Sequence, residues 1–120
     1  MRKSPDSVLP LTPLSLAVLM ALADGPMHGY ALMKEIERQA LGRMRPGTGT
    51  MYAALDRMIA EGLLAESTRP RGEDERRRYY AITAWGRAVA RAELERLAKL
   101  VELGAEKALA PRWSGKGGSP

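Results

Sequence analysis

Cysteine is absent from the 120 residues, and histidine occurs once, as His28. No disulfide, thiolate metal site or cysteine nucleophile can form. A lone histidine allows no histidine cluster and no histidine relay, so no metal and no cofactor is expected. Phenylalanine is absent too, and aromatic residues make up 5% of the chain. The core must therefore come from Leu, Ala, Met, Ile and Val. The longest apolar run falls short of the roughly 20 residues that span a bilayer. There is no Gly-x-Ser-x-Gly elbow, no Gly-rich phosphate loop followed by Lys-Ser/Thr, and no His-Glu-x-x-His. An enzyme is not expected.

What the chain has is arginine: 14 Arg against 5 Lys, within a net charge of +5. Arginine suits planar, bidentate contacts with phosphate and guanine, which points to an anionic partner. Composition alone does not make that partner DNA. Apolar residues at 45% and charged residues at 28% are enough for one folded domain.

The N-terminus imitates a secretory signal: Arg2 and Lys3, then the apolar run Leu14–Ala23 ending in Ala21-Leu22-Ala23. The reading preferred here is a buried first helix in a cytoplasmic protein. Thr12-Pro13 supplies a hydroxyl cap and a proline at the first helical position, and Asp24-Gly25-Pro26 stops the helix.

Residues 1–11, with Pro5 and Pro10, read as a flexible arm. A helix over 13–23 is followed by the turn Asp24–Met27 and a second helix over 28–41 with Leu32, Ile36 and Ala40 on one face. Pro46-Gly47-Thr48-Gly49 is a loop. A third helix over 50–61 carries the stripe Met51, Leu55, Met58 and Ile59 and ends at Gly62. The period then shifts to two short strands, 64–68 and 77–82, around a polar tip. In the second strand, Arg78, Tyr80 and Ile82 share one side and Arg77, Tyr79 and Ala81 the other. Ile82 inclines the first toward the core.

Thr83 caps a long helix over 84–109, in which Ala90, Leu94, Leu97, Val101, Gly104 and Ala108 fall at a and d spacing. A small domain cannot cover such a stripe, so this helix is expected to pair with a second copy of the chain. Residues 110–120 read as a disordered tail. The fold expected is mainly α with a small two-stranded β wing: a winged helix-turn-helix over 12–83, then a dimerisation helix.

Three segments resemble the PadR-type transcriptional regulators. Gly25-Pro26-Met27-His28-Gly29-Tyr30-Ala31-Leu32 is similar to Gly-Pro-x-His-Gly-Tyr-x-Leu. Gly49-Thr50-Met51-Tyr52-Ala53-Ala54-Leu55, with Glu61-Gly62-Leu63, is similar to Gly-Thr-Leu-Tyr-x-x-Leu and Glu-Gly-Leu. Arg77-Arg78-Tyr79-Tyr80-Ala81-Ile82-Thr83-Ala84-Trp85-Gly86 is similar to Arg-x-Tyr-Tyr-x-Leu-Thr-x-x-Gly. Each motif alone is weak; all three in order are specific. Met51 replaces the usual Leu. A short C-terminal part resembles the compact branch with a single dimerisation helix. The resemblance implies a bacterial homodimer that binds double-stranded DNA at a palindromic operator, acting as a repressor released by a small-molecule effector.

The residues offered to DNA are Tyr30, Thr48, Gly49, Thr50, Tyr52, Arg57 and the wing arginines Arg69, Arg71, Arg76 and Arg77. Each has a plainer role beside it. Thr48 or Thr50 can cap the third helix, Tyr52 can pack, and Arg57 can pair with Glu61 at i+4. The free N–H groups at that helix start attract phosphate, and its first turn reaches base edges. Ala53, Ala54 and Arg57 read as the face opposite the apolar stripe. The wing arginines are offset by Glu73, Asp74 and Glu75. His28 reads as a structural or capping residue, Gly29 as a close-packing point, and Trp85 as packing at the root of the long helix. Two rivals stay open: a winged-helix module that binds protein, and a ligand-binding dimer without specific DNA binding.

Overall fold

The computed structural model describes residues 3–67 and 78–111. In chain order these form α1 (Pro13–Ala21), β1 (Met27–His28), α2 (Gly29–Gln39), α3 (Thr48–Ala60), β2 (Leu64–Ser67), β3 (Tyr79–Ile82) and α4 (Ala84–Glu106). Short 3-10 turns lie at Pro5–Val8 and Leu22–Asp24.

Local chemistry explains the helix starts. Thr12 Oγ1 accepts the Ser15 N–H at 3.1 Å, and Pro13 opens α1 without a missing donor. His28 Nδ1 accepts the Ala31 N–H at 3.2 Å and so caps α2. Thr83 Oγ1 accepts the Gly86 N–H at 2.9 Å and caps α4. The apolar run that mimics a signal sends Val18, Leu19, Ala21 and Leu22 into the core. There they meet Leu32 and Ile36 of α2, Met51, Leu55 and Met58 of α3, then Leu64, Tyr80 and Val89. Each of the Val, Leu, Ile and Met side chains among them contributes about 1.5–3 kcal/mol through burial. Among the described residues, no helix is long and apolar enough to cross a membrane.

The expected two-stranded wing is present as β2 and β3, and the sheet gains a third strand. It has three antiparallel strands in the order β1-β3-β2. Met27 and His28, read as the end of a turn and the start of a helix, pair with Tyr80 and Tyr79. Two residues are too short a strand to leave a periodic signal. Between β2 and β3 the register sets Leu64 opposite Ile82 and Glu66 opposite Tyr80. Tyr80 is fully buried and Ile82 packs beside it against the core. Tyr79 is buried too, edge-on to the His28 ring with centroids 5.4 Å apart. β3 is the central strand and is covered on both faces, so simple alternation cannot describe it.

Three helices end in one motif, a 6→1 backbone bond around a left-handed residue. Gly42 N–H reaches Glu37 C=O at 2.9 Å around Leu41, Leu63 N–H reaches Met58 C=O at 2.9 Å around Gly62, and Leu109 N–H reaches Gly104 C=O at 2.8 Å around Ala108. Gly62 (φ 80°) fits that place; Leu41 (φ 53°) and Ala108 (φ 63°) hold it without a glycine. The last of these stops α4 at Glu106, three residues before the expected end.

The described part of the arm is seated. Val8, Leu9 and Leu11 pack on the core, and Leu11 N–H donates to Glu93 Oε2 at 3.0 Å. The expected flexible arm therefore has a fixed inner end, held by a residue 82 positions away. Of the expected tail, residues 112–120 lie outside the described residues.

Candidate nucleic-acid interface

α3 starts two residues earlier than its apolar stripe suggests. Gly47 is the N-cap, with extended backbone and no side-chain cap bond. The first intrahelical acceptor, Gly47 C=O, takes the Met51 N–H at 2.9 Å. Neither Thr48 nor Thr50 caps the helix. Thr48, Gly49 and Thr50 are all exposed, so the first turn presents its N–H groups and two hydroxyls to the outside.

The outward stripe of α3 is Gly49, Ala53, Asp56 and Ala60, at i, i+4, i+7 and i+11. Ala54, read beside Ala53 on this face, instead points inward and is 3% exposed. The stripe is low in relief, and its one polar side chain, Asp56, is a carboxylate. Thr50, Arg57 and Glu61 form its flank toward α1.

Arg57 stands 49% exposed on that flank. Its Nη2 donates to Ser15 Oγ at 3.1 Å, while Nε lies 3.9 Å from Glu61 Oε2. The i+4 pair is thus formed but loose. The hydrogen bond to α1 is the tighter hold, and sequence spacing gives no sign of it. Tyr52 is half-buried and leans on α2: a Cβ added at Gly29 would lie 2.1 Å from its hydroxyl. Gly29 therefore does permit close packing, and Tyr52 bridges two helices. Tyr30 is 61% exposed near the start of α2, with Lys34 Nζ 5.5 Å from its ring centroid. Tyr30, Lys34, Arg45 and Pro46 border a small recess that joins the start of α2 to the loop before α3. Arg45 is held there by Glu37 at 2.9 Å.

Arg69, Arg71, Arg76 and Arg77 lie outside the described residues. The wing arginine that is described is Arg78, which the sequence reading passed over. Its Nη2 is 2.8 Å from Glu66 Oε2 and 3.7 Å from Asp56 Oδ1, and its guanidinium sits 5.2 Å from the Tyr80 ring centroid. The Glu66 carboxylate holds its pKa above the ordinary arginine value. Arg78 ties the wing to the outward stripe of α3. The signal was present in the sequence as the shared side of Arg78 and Tyr80, but the position of Asp56 was not.

On α4, Leu94 and Val101 are exposed and Leu97 is half-buried. Leu100 and Leu103, missed in the a/d reading, are exposed beside them. They continue the face that buries Val89 and Glu93 nearer the root. Ala90 packs partly on its own core. Gly104 faces Ala110 of its own chain, since a Cβ there would lie 3.3 Å from the Ala110 Cβ. Ala108 lies beyond the end of α4 and drops out of the heptad register.

Three helices, a small antiparallel sheet with a hairpin wing and a long final helix make this a winged helix-turn-helix protein. Residues 18–92 match the Transcriptional regulator PadR-like family, and the chain belongs to that family. It is 37% identical over 89 residues to the transcriptional regulator Rv3488 of Mycobacterium tuberculosis, covering 72% of this chain and 79% of that one. It is 41% identical over 83 residues to an uncharacterized 37.1 kDa protein in transposon TN4556 of Streptomyces fradiae; the match covers 69% of this chain but only 22% of that longer protein. Among solved structures, a PadR family transcription regulator from Clostridium difficile superposes with a TM-score of 0.67 at 19% identity, over 81% of this chain and 99% of that one. Bacillus subtilis PadR in complex with operator DNA gives 0.61 at 21% identity, over 72% of this chain and 48% of that one. At these identities the solved structures speak for the fold.

Proposed function

We propose that this chain is a sequence-specific DNA-binding regulator: a homodimeric repressor of a palindromic operator, released by a small effector. The observation that carries the reading is the start of α3. An exposed helix N-terminus without a side-chain cap, followed by Gly49, Thr50 and Ala53, can enter a major groove and offer N–H and hydroxyl groups to phosphates and base edges. That B. subtilis PadR was solved with operator DNA supports the same use of the fold. Arg57 and Arg78 flank the stripe as phosphate or guanine ligands. Leu94, Leu97, Leu100, Val101 and Leu103 leave α4 with uncovered apolar surface, which a second copy would bury. An effector acts here by changing the angle between two α4 helices and hence the spacing of two recognition helices.

One observation favours a protein-binding module instead. An open groove of about 1320 Å³ runs along α3 between Leu11, Leu14, Ala53 and Trp85, with Lys3 and Arg57 also in its lining. Fluorescence anisotropy with duplex fragments of the source genome, repeated across salt concentrations, separates the two. Selective binding that weakens steeply with salt, and weakens further in Thr50→Ala, supports the regulator. Binding that is absent, or equal for every duplex and indifferent to Thr50→Ala, removes α3 as a reader.

A further inference from the structure

Two buried polar residues stand out against an apolar core: Ser15 on α1 and Glu93 on α4, 5% and 2% exposed. Burying either without partners would be costly. Their partners form one chain of contacts. Glu93 accepts Arg96 Nε at 2.6 Å and Nη2 at 2.9 Å from within α4, and the Leu11 N–H at 3.0 Å from the N-terminal segment. The next residue, Thr12, caps α1 and donates its hydroxyl proton to Ser15 Oγ at 3.0 Å. The second lone pair of Ser15 Oγ takes Arg57 Nη2 at 3.1 Å. The contacts thus run from α4, the helix with uncovered apolar surface, to the flank of α3.

We infer that Ser15 is a positioning residue for DNA recognition: its hydroxyl holds Arg57 in a binding-ready direction, and Glu93 fixes the segment that carries it. The inference rests on the proposal that Arg57 contacts DNA. Arginine is long and rotamer-rich, and fixing it before binding spares the ordering cost at the interface. Ser15 suits the task because both lone pairs are used and the hydroxyl is anchored by Thr12. Only one edge of the guanidinium is engaged, and the half-exposed remainder is free to meet a phosphate or a guanine. Glu61 cannot replace this hold, since at 3.9 Å it is beyond hydrogen-bond reach.

Ser15→Ala is a clean probe. The cap of α1 runs from Thr12 Oγ1 to the Ser15 backbone N–H, which alanine keeps. Thermal unfolding of each variant checks that all proteins are folded at the assay temperature. In the free protein, ¹⁵N relaxation of the Arg57 Nε–Hε group should show an ordered side chain in the wild type and a mobile one in Ser15→Ala. Against an operator duplex selected from genomic fragments, Ser15→Ala should weaken binding roughly two- to tenfold. Arg57→Ala should weaken it at least as much and lower the salt slope by about 1. The double variant should bind no more weakly than Arg57→Ala alone, because Ser15 acts through Arg57. Additive losses, or an Arg57 side chain equally ordered without the serine hydroxyl, overturn the inference. If Arg57→Ala changes neither affinity nor slope, the underlying proposal for Arg57 is wrong and the role of Ser15 falls with it.

Discussion

Gly86→Ala tests the joint on which the whole arrangement turns, the root of α4. A Cβ built on Gly86 would lie 2.3 Å from the Leu63 carbonyl oxygen and 3.0 Å from Ile82 Cγ1. A carbon–oxygen contact needs about 1 Å more than that, and backbone cannot rotate aside as a side-chain tip can. The same carbonyl accepts the Thr83 N–H at 3.1 Å and lies 3.0 Å from Thr83 Oγ1. Backing α4 away therefore strains the cap as well as the packing. Overpacking costs about 1–3 kcal/mol and a weakened cap about 1 kcal/mol, against a gain of about 1 kcal/mol from alanine in a helix. The net is a loss of about 2 kcal/mol, or roughly 8 °C in melting temperature for a chain of this size. Urea titration followed by far-ultraviolet circular dichroism, at one protein concentration for all variants, measures it. Gly49→Ala is the matched control, because nothing lies within 4 Å of a Cβ there and the residue is helical. It should raise stability by about 0.5–1 kcal/mol. A Gly86→Ala protein as stable as wild type would mean that α4 does not press on Leu63, and the joint would have to be redrawn.

Other perturbations follow from the same geometry. Leu41→Gly and Ala108→Gly place glycine where φ is positive, and Leu41 is 86% exposed, so no packing is lost there. Each should stabilise by about 1 kcal/mol in thermal or urea unfolding. Glu93 has its pKa held below the usual carboxylate value, first by the Arg96 hydrogen bond and then by the Leu11 N–H. Its contribution is complete above the unfolded value near 4.3 and is lost as pH falls through the lower folded value. The stability gap between wild type and Glu93→Gln should accordingly be constant at neutral pH and narrow below about pH 4.3, as read by urea midpoints across pH. Leu94→Glu combined with Val101→Glu should convert a dimer to monomer in sedimentation velocity while leaving the helical circular dichroism in place; an unchanged sedimentation coefficient would place the interface elsewhere.

Much of the fold could be read directly because its signals are local. A hydroxyl or imidazole that accepts the N–H three residues on marks the starts of α1, α2 and α4, at Thr12, His28 and Thr83. The stripe Met51–Leu55–Met58 marks the inner face of α3, and Gly62 its end. The errors arise where a non-local partner decides. β1 is two residues long and exists because Tyr79 and Tyr80 supply a neighbour. The arm has a seat because Glu93 lies across the fold from Leu11. The end of α4 at Glu106 has a local cause instead: Ala108 takes a left-handed conformation that a sequence without glycine there does not signal.

The candidate interface follows the same rule, with a sharper consequence. Which residues of α3 face outward follows from its period once the start is placed, and the start was placed two residues late. The free N–H groups expected at that helix start are there, two residues earlier, and the alternative capping role is filled by neither threonine. The period also puts Asp56 on the stripe between Ala53 and Ala60, where composition had suggested cations. A carboxylate there repels phosphate, and Arg78, 3.7 Å away but hydrogen-bonded to Glu66 at 2.8 Å, offsets it only in part. Charge on this surface is therefore arranged at the edges, with Arg57 on one flank and Arg78 on the other, around a centre that is small and acidic. A surface of that kind would draw affinity from its rim. It would leave discrimination to the first turn of α3 and to Asp56, whose carboxylate can accept a hydrogen bond from a cytosine amino group but from no guanine acceptor edge.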